Sequence, residues 1–161
     1  MEQSFLDNFR GILLSAEKRL LSLSETQAAT PRAPGKWSPK EIIGHLIDSA
    51  SNNHQRFIRA QFKNDLIFDG YEQDEWVKVQ RYQQEEWKQL IALWKSFNLH
   101  LLHAIAQIPD SILKKEHTHH NLDERAFKPV LKEKSATLEY FIIDYVDHLK
   151  HHLRQIFPDF V

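Results

Sequence analysis

Four long segments of the chain carry apolar residues at helical spacing, and stretches rich in Pro, Gly and Asp separate them. The segments span approximately residues 4–24, 38–62, 83–107 and 135–157. Each is long enough for about six turns of helix, and its apolar residues form one stripe along the helix. The pattern therefore predicts an all-α fold, a bundle of four long helices without a sheet of consequence.

The second segment begins with a clear helix start signal, Trp37-Ser-Pro-Lys-Glu41. Ser38 suits the N-cap, Pro39 suits the first helical position, and Glu41 completes a capping box. On a helical wheel with His45 at zero, a polar ridge lies within about 60° of this histidine and beside the apolar face. The ridge comprises Asp48, Ser49, Asn52, Arg56 and Arg59.

The last segment contains three histidines within five residues, His148, His151 and His152. His148 and His152 lie about 40° apart at the edge of the apolar face, whereas His151 faces the solvent side. An i, i+4 pair of imidazoles on one ridge can bind one metal ion. A solvated helix edge that happens to be rich in histidine is the alternative, and this segment alone does not decide between them.

Composition limits the classes of function. The 161 residues fit a single domain spanning 1–161, and 42% of them are hydrophobic, which is enough for a real core. The formal charge of −1, without a basic block, argues against nucleic-acid binding. The absence of cysteine excludes thiolate metal ligands and suits a cytoplasmic protein. No apolar run of about 18 residues and no signal-peptide pattern are found, so we expect no membrane association.

Two long connections separate the predicted helices, and connections of this length are usually crossovers or functional loops. The first, residues 63–82, contains Tyr71 and Trp76, which could line the mouth of a pocket or pin the loop onto the bundle. The second, residues 109–134, carries three histidines that could bind metal, although a solvated loop is the simpler interpretation. These histidines are His117, His119 and His120.

Two parts of the sequence resemble the DinB-like four-helix bundles. The stretch from Trp37 to Ser49 is similar to the signature that opens the second helix of these proteins. Asp74-Glu-Trp76, together with His148-x-x-His-His152, resembles their YfiT-type branch. The resemblance implies an up-down-down-up bundle with a long crossover between the second and third helices. One departure is Lys128-Pro129, where relatives often have His-Pro before the last helix.

The resemblance also implies a metal site. In the family, one histidine of the second helix and an H-x-x-x-H pair of the fourth hold a divalent ion, usually nickel or zinc. Carried over, the ligands are His45, His148 and His152, which are also the three histidines that the helical wheels select. Members of the branch are described as metal-dependent hydrolases, and some transfer low-molecular-weight thiols such as bacillithiol.

Three functions therefore stay open: a metal-dependent hydrolase acting on a small molecule, a bacillithiol-type thiol S-transferase, and a non-catalytic, metal-stabilised bundle or dimerisation module. Asp48 is a candidate base, or a partner that orients a metal-bound imidazole. Asn52 and Arg56 are candidates for substrate binding, with an ordinary surface ion pair as the alternative for Arg56. We also expect a homodimer, because the first and third helices carry more aromatic residues than one bundle core obviously needs.

Overall fold

The computed structural model describes residues 1–160 and has four long helices joined by shorter ones. In chain order the helices are α1 (Gln3–Leu20), α2 (Glu25–Ala29), α3 (Pro39–Ala60), α4 (Gln73–Gln80), α5 (Trp87–Ala106), α6 (Asp110–Leu113), α7 (Leu122–Arg125) and α8 (Leu138–Ile156), and a 3-10 turn, Tyr82–Gln84, precedes α5. Within residues 1–160, β-pairing amounts to two isolated bridges, Leu66 with His120 and His117 with Ala136. The predicted all-α class is confirmed.

Hydrogen bonds between helix ends give the directions of the four long helices. Trp87 at the start of α5 donates its indole N–H to the carbonyl of Leu20 at the end of α1, at 3.0 Å, so α1 and α5 are antiparallel. Lys40 at the start of α3 donates to the carbonyl of Glu85, just before α5, at 2.6 Å, so α3 and α5 are parallel.

The fourth helix completes the topology. His45 near the start of α3 packs against His152 near the end of α8, and Phe57 near the end of α3 packs against Phe141 near the start of α8, so these two helices are antiparallel. The bundle is therefore up-down-down-up, with the predicted long crossover between its second and third long helices, α3 and α5.

Side-chain caps fix the N-termini of the two histidine-bearing helices, α3 and α8. The Ser38 hydroxyl accepts the N–H of Glu41 at 3.3 Å, and the Glu41 carboxylate accepts the N–H of Ser38 at 2.8 Å, which confirms the capping box. At the start of α8, the Thr137 hydroxyl accepts the N–H of Tyr140 at 3.1 Å. Both helices thus enter the bundle at fixed points, which sets where their histidines lie.

The sequence pattern does not predict the short helices that join the long ones. The first helix ends at Leu20 rather than near Ser24, because the Ser24 hydroxyl caps a new helix by accepting the N–H of Gln27 at 3.2 Å. In the same way, the 3-10 turn occupies residues 82–84, so α5 begins at Trp87. The crossover also contains α4, which was expected to be loop and is too short for a clear periodic stripe.

The core explains the aromatic content of α1 and α5 within one chain. Phe9, Trp87 and Trp94 are all at most 2% exposed and pack in the same hydrophobic cluster. The aromatic excess that led us to expect a homodimer is thus buried largely inside the bundle, and the homodimer stays a prediction. None of the described helices combines the length and the apolar character that a membrane span requires.

Candidate metal centre

Three histidines from two helices meet at one point of the bundle. The Nε2 atom of His148 lies 3.4 Å from Nε2 of His45 and 3.0 Å from Nε2 of His152. Ligand atoms of all three lie within 4.8 Å of one another, and within residues 1–160 no other group of histidines and carboxylates lies this close together. The polar ridges of α3 and α8 therefore converge as the wheels predict.

The spacing of these nitrogens fits a metal ion. Two imidazole nitrogens bound to one zinc ion at about 2.0–2.1 Å, with a tetrahedral angle between them, lie about 3.3 Å apart. A ring nitrogen offers either one hydrogen or one lone pair, so Nε2 of His148 can hydrogen-bond to only one of its two neighbours. A cation between the rings is the arrangement that uses all three lone pairs.

Burial keeps the three rings neutral and therefore able to act as ligands. Burial lowers the pKa of His45 to about 3, and the proximity of His152 adds to this shift. Burial also lowers the pKa of His148 well below its ordinary value, with further contributions from His152, His45 and His151. The pKa of His152 is lowered by burial as well, although its hydrogen bond to Gln155 acts in the opposite direction.

The surroundings orient two of the rings. Gln155, one turn beyond His152, accepts the Nδ1–H of that ring at 3.0 Å, which leaves Nε2 with a free lone pair. The Trp37 ring packs 5.0 Å from the ring of His45 and 6.3 Å from that of His152. Phe127 contacts the His148 ring edge-on, at 5.6 Å between centroids. Aromatic side chains thus cover the cluster on two sides.

His151 lies outside this cluster, as the wheel predicts. It is exposed, its ring packs 5.1 Å from that of Phe127, and its Nε2 accepts a hydrogen bond from Gln155 at 3.2 Å. One helix thus carries two imidazoles that face His45 and a third that faces away, although all three lie within five residues.

Asp48 is buried one turn after His45. Its Oδ1 accepts hydrogen bonds from Gln80 and from the hydroxyl of Tyr82, both at 2.7 Å. Its Oδ2 has no protein partner, and neither has Nδ1 of His45. Burial raises the pKa of Asp48, and the two hydrogen bonds oppose this shift. Tyr82 reaches the carboxylate because residue 44 is glycine: a Cβ there would lie 2.1 Å from the tyrosine ring.

Two cavities adjoin the histidines. The first, which we call the arginine cavity, has a volume of about 310 Å³. It is lined by Ser49, Asn53, Arg56, Tyr71, Arg125, Phe127, Asp144, His148, His151 and His152, among others. The second, which we call the tryptophan cavity, has a volume of about 470 Å³, and its lining includes Trp37, Ile42, His152 and Gln155. His152 lines both cavities.

Of the two substrate-binding candidates on α3, Asn52 and Arg56, one lines the arginine cavity and the other does not. Arg56 lines it, whereas Asn52 does not, and the amide of Asn52 donates to the Asp48 carbonyl of its own helix at 2.9 Å. The neighbouring Ser49 and Asn53 line the cavity in its place. Tyr71 also lines it, as one of the two roles considered for this residue predicts, and Trp76 packs against Tyr71 at 4.8 Å.

The loop histidines have a structural role. His117 bonds through Nδ1 to the carbonyl of Asn64 at 3.2 Å, and His120 bonds through Nε2 to that of Lys134 at 2.7 Å. His119 is exposed, and its backbone carbonyl accepts the N–H of Leu66 at 3.0 Å. These bonds tie the segment after α3 to the segment before α8, and both segments contribute residues to the arginine cavity.

The sequence did not single out three residues that shape this cavity: Arg125, Phe127 and Asp144. Both oxygens of Asp144 accept backbone N–H groups, those of Phe127 and Lys128, each at 2.7 Å. Burial raises the pKa of Asp144, and these two hydrogen bonds act against the shift. A signal for Asp144 did exist, because it lies four residues before His148 on the same ridge. Arg125 and Phe127 lie in the long connection and carry no such periodic signal.

Comparison with known proteins is consistent with this description. The sequence model of the DinB superfamily matches residues 15–156. YfiT from Bacillus subtilis, described as a probable metal-dependent hydrolase with an unusual four-helix bundle topology, aligns with a TM-score of 0.74. The two chains are 19% identical, and the alignment covers 98% of this chain and 87% of YfiT, so the likeness concerns the fold.

A shorter match concerns proteins provisionally named metal-dependent hydrolases. Over 62 residues, the chain is 26% identical to such proteins from Bacillus cereus strain B4264 and Bacillus anthracis strain A0248. The match covers 38% of this chain and 36% of each relative, so it spans little more than a third of their length.

Proposed function

Because this chain belongs to the DinB superfamily, we propose that it is a divalent-metal-dependent enzyme, a hydrolase that acts on a small molecule through His45, His148 and His152. The observation that carries the proposal is the meeting of three neutral imidazoles beside a cavity of about 310 Å³. Structural metal sites in proteins are usually closed, whereas catalytic ones keep a position open for water or substrate. A cavity that reaches two of the three histidines supports the catalytic type.

The three histidines would hold the ion through Nε2. An all-imidazole set of donors suits zinc and nickel, among other transition metals, and we propose one of these two. When bound, the ion would supply Lewis acidity, lowering the pKa of a water or thiol and polarising a substrate carbonyl. Trp37 and Phe127 would limit the access of bulk water to the histidines, since their rings cover two sides of the cluster.

Asp48 is proposed as a positioning residue rather than as a base. It is 3% exposed and lines neither cavity, so its carboxylate does not meet a substrate there. Its Oδ2 and the Nδ1 of His45 both lack a partner, and the two residues lie one helical turn apart. A hydrogen bond formed between them on metal binding would orient the imidazole, as carboxylates commonly do for metal-binding histidines. Asp48→Asn should therefore weaken zinc binding about 10–100-fold. Unchanged affinity, measured by competition with a chromogenic chelator, would limit Asp48 to a packing role.

Thiol S-transfer is the second candidate, and the two cavities favour it. A transferase must hold two substrates at one metal, and the arginine and tryptophan cavities both reach His152. The tryptophan cavity combines the Trp37 ring and the apolar side chain of Ile42 with three charged residues, which suits an electrophile with an apolar part and a polar group. The charged residues are Arg32, Lys36 and Asp74. A low-molecular-weight thiol would then occupy the arginine cavity.

The test is a metal-reconstituted activity screen. The protein is stripped of metal, reloaded with Zn²⁺ or Ni²⁺, and assayed for ester and amide hydrolysis and for conjugation of small thiols to electrophiles. Activity should require the metal and disappear in His148→Ala, whereas His151→Ala should still bind the metal, because only His148 belongs to the cluster. Hydrolysis alone would select the hydrolase, and conjugation alone would select the transferase. Tight metal binding without either activity would favour a metal-stabilised, non-catalytic bundle.

A further inference from the structure

The arginine cavity contains two guanidinium groups for which the chemistry at the histidines has no use. Arg56 comes from α3 and Arg125 from the end of α7, and both side chains line the cavity that reaches His148 and His152. Burial lowers the pKa of Arg56, and so does the charge of Arg125, while Tyr71 and Asp69 act in the opposite direction. Two cations are therefore held near each other in a partly desolvated place, which is unfavourable without an anion.

Arg56 has no carboxylate partner within residues 1–160. Its Nη2 donates to the backbone carbonyl of Asp69 at 2.5 Å, and its Nη1 lies 3.5 Å from the amide oxygen of Asn53. These neutral acceptors fix the direction of the side chain, and the guanidinium forms no direct ion pair in the described part of the chain, although the charge of Asp69 lies near enough to favour its protonated form. Several of its five N–H groups are free to bind another molecule.

Arg125 is fixed against Gly70, the crossover residue next to Asp69. An added Cβ at Gly70 would lie 2.5 Å from its Nη1, so the guanidinium packs against this residue because glycine has no side chain. Its Nε is buried without a partner. Its charged contact is Glu124 at 3.2 Å, and the Glu124 side chain is 54% exposed, which makes this a weak surface pair.

Two carboxylates, those of Glu124 and Asp144, also line the cavity, but neither forms an ion pair with Arg56. Glu124 pairs with Arg125, and both oxygens of Asp144 are occupied by backbone N–H groups from the segment before α8. The three imidazoles are neutral, so a divalent ion bound to them would add two further positive charges to the same cavity. With an ion bound, positive charge would therefore attract an anion both at the histidine end of the cavity and at the arginine end.

We propose that Arg56 and Arg125 form an oxyanion subsite that binds a carboxylate or phosphate group of an anionic small-molecule substrate. The proposal rests on the proposed function, since it names the substrate class of the same site. A planar guanidinium fork matches a carboxylate or a phosphate with two parallel hydrogen bonds, which is the geometry that favours arginine over lysine.

The helix geometry also constrains the shape of the substrate. His45 and Arg56 are separated along α3 by an axial rise of about 16 Å, at 1.5 Å per residue. An arginine side chain is shorter than this separation, so the geometry favours an elongated substrate whose anionic group binds away from the metal-binding nitrogens. Ser49 and Asn53, which line the cavity along the same helix face, offer hydrogen bonds to its middle part.

The experiment measures anion binding without metal or turnover. The protein is stripped of metal, freed of chelator and titrated with succinate and with inorganic phosphate by calorimetry. We expect the parent to bind both anions. The affinity of Arg56→Gln and of Arg125→Gln should be lower by a factor of about ten or more, because each variant loses a charge-assisted hydrogen bond. Arg125→Lys should recover only part of the loss, since it restores the charge without the fork.

Arg59→Gln is the matched control, because Arg59 is an exposed arginine of the same helix that lies outside the arginine cavity and bonds to Gln55. It should bind both probes as the parent does. Equal weakening in Arg59→Gln would place the anion outside the arginine cavity, either on the surface or in the smaller cavity that Arg56 and Arg59 line together, and would overturn the proposal. Unchanged binding in Arg125→Gln, or no binding by the parent, would overturn it as well. Because the assay needs neither metal nor catalysis, a protein that binds both anions through the two arginines but shows no metal-dependent activity would refute only the proposed function.

Discussion

Two groups of three histidines occur in this chain, and they differ in what their ring nitrogens face. In the loop before α8, His117 and His120 bond to backbone carbonyls of distant segments. In the helices, the Nε2 atoms of His45, His148 and His152 face one another. A ring bonded to a carbonyl is satisfied and joins two segments, whereas three facing lone pairs are satisfied together by a cation.

The two groups are also arranged oppositely in sequence and in space. The loop histidines lie within four residues of one another, yet the rings of His117 and His120 bond to different segments of the chain. His45 lies 103 residues before His148, yet their rings meet across two antiparallel helices. Closeness in sequence is therefore a poor guide to a metal site, and a shared position on two packed helix faces is a better one.

The largest effect should come from removing a histidine of the helix cluster. His148→Ala removes the ring that lies next to both of the others, so we expect the rise in melting temperature on adding Zn²⁺ or Ni²⁺ to disappear. His151→Ala, three residues away, should keep the rise. If His151→Ala loses it while His148→Ala keeps it, the assignment of the ridge on α8 is wrong.

A smaller loss is expected from the residue that orients one of these rings. Gln155→Leu removes the acceptor of the His152 Nδ1–H, so the ring is free to turn and to change its tautomer. Metal affinity should fall about 10–100-fold, while the protein still binds the ion through the same three histidines. Competition with a chromogenic chelator measures this loss. Affinity equal to that of the parent would show that the packing of Trp37 is sufficient to hold the ring.

For the loop group, the prediction is loss of stability without loss of metal. His120→Ala leaves the Lys134 carbonyl and the N–H of Leu122 without their bonds to the ring, which should cost about 1–3 kcal/mol of unfolding free energy. His119→Ala removes an exposed ring beside it and should change stability by less than about 0.5 kcal/mol. Urea unfolding measures both values. A loss of metal affinity in His120→Ala as large as that in His148→Ala would abolish the distinction between the two groups.

The same distinction explains what the sequence could reveal. Helical spacing locates the four long helices, and the wheels select His45, His148 and His152, because each of these features repeats along one regular element. The role of His120 depends on a carbonyl fourteen residues away across an irregular loop, and no local pattern encodes that contact. Arg125 is hidden for the same reason, since its place in the cavity depends on its approach to Gly70 across the crossover.

The smallest expected effect concerns pH, and it applies to protein freed of metal. Burial lowers the pKa of His45 to about 3, against 6.5 for an unperturbed histidine. Below pH 6.5 the unfolded chain therefore binds a proton at this position that the folded chain does not bind, so stability should fall as the pH decreases towards 3. Above pH 6.5 the ring is neutral in both states and contributes no pH dependence. His45→Gln cannot take up this proton, so its melting temperature should fall less steeply between pH 6.5 and pH 5 than that of the parent. Parallel curves for the two proteins would mean that the His45 ring is protonated in the folded state as readily as in the unfolded one, which contradicts its burial in the helix cluster.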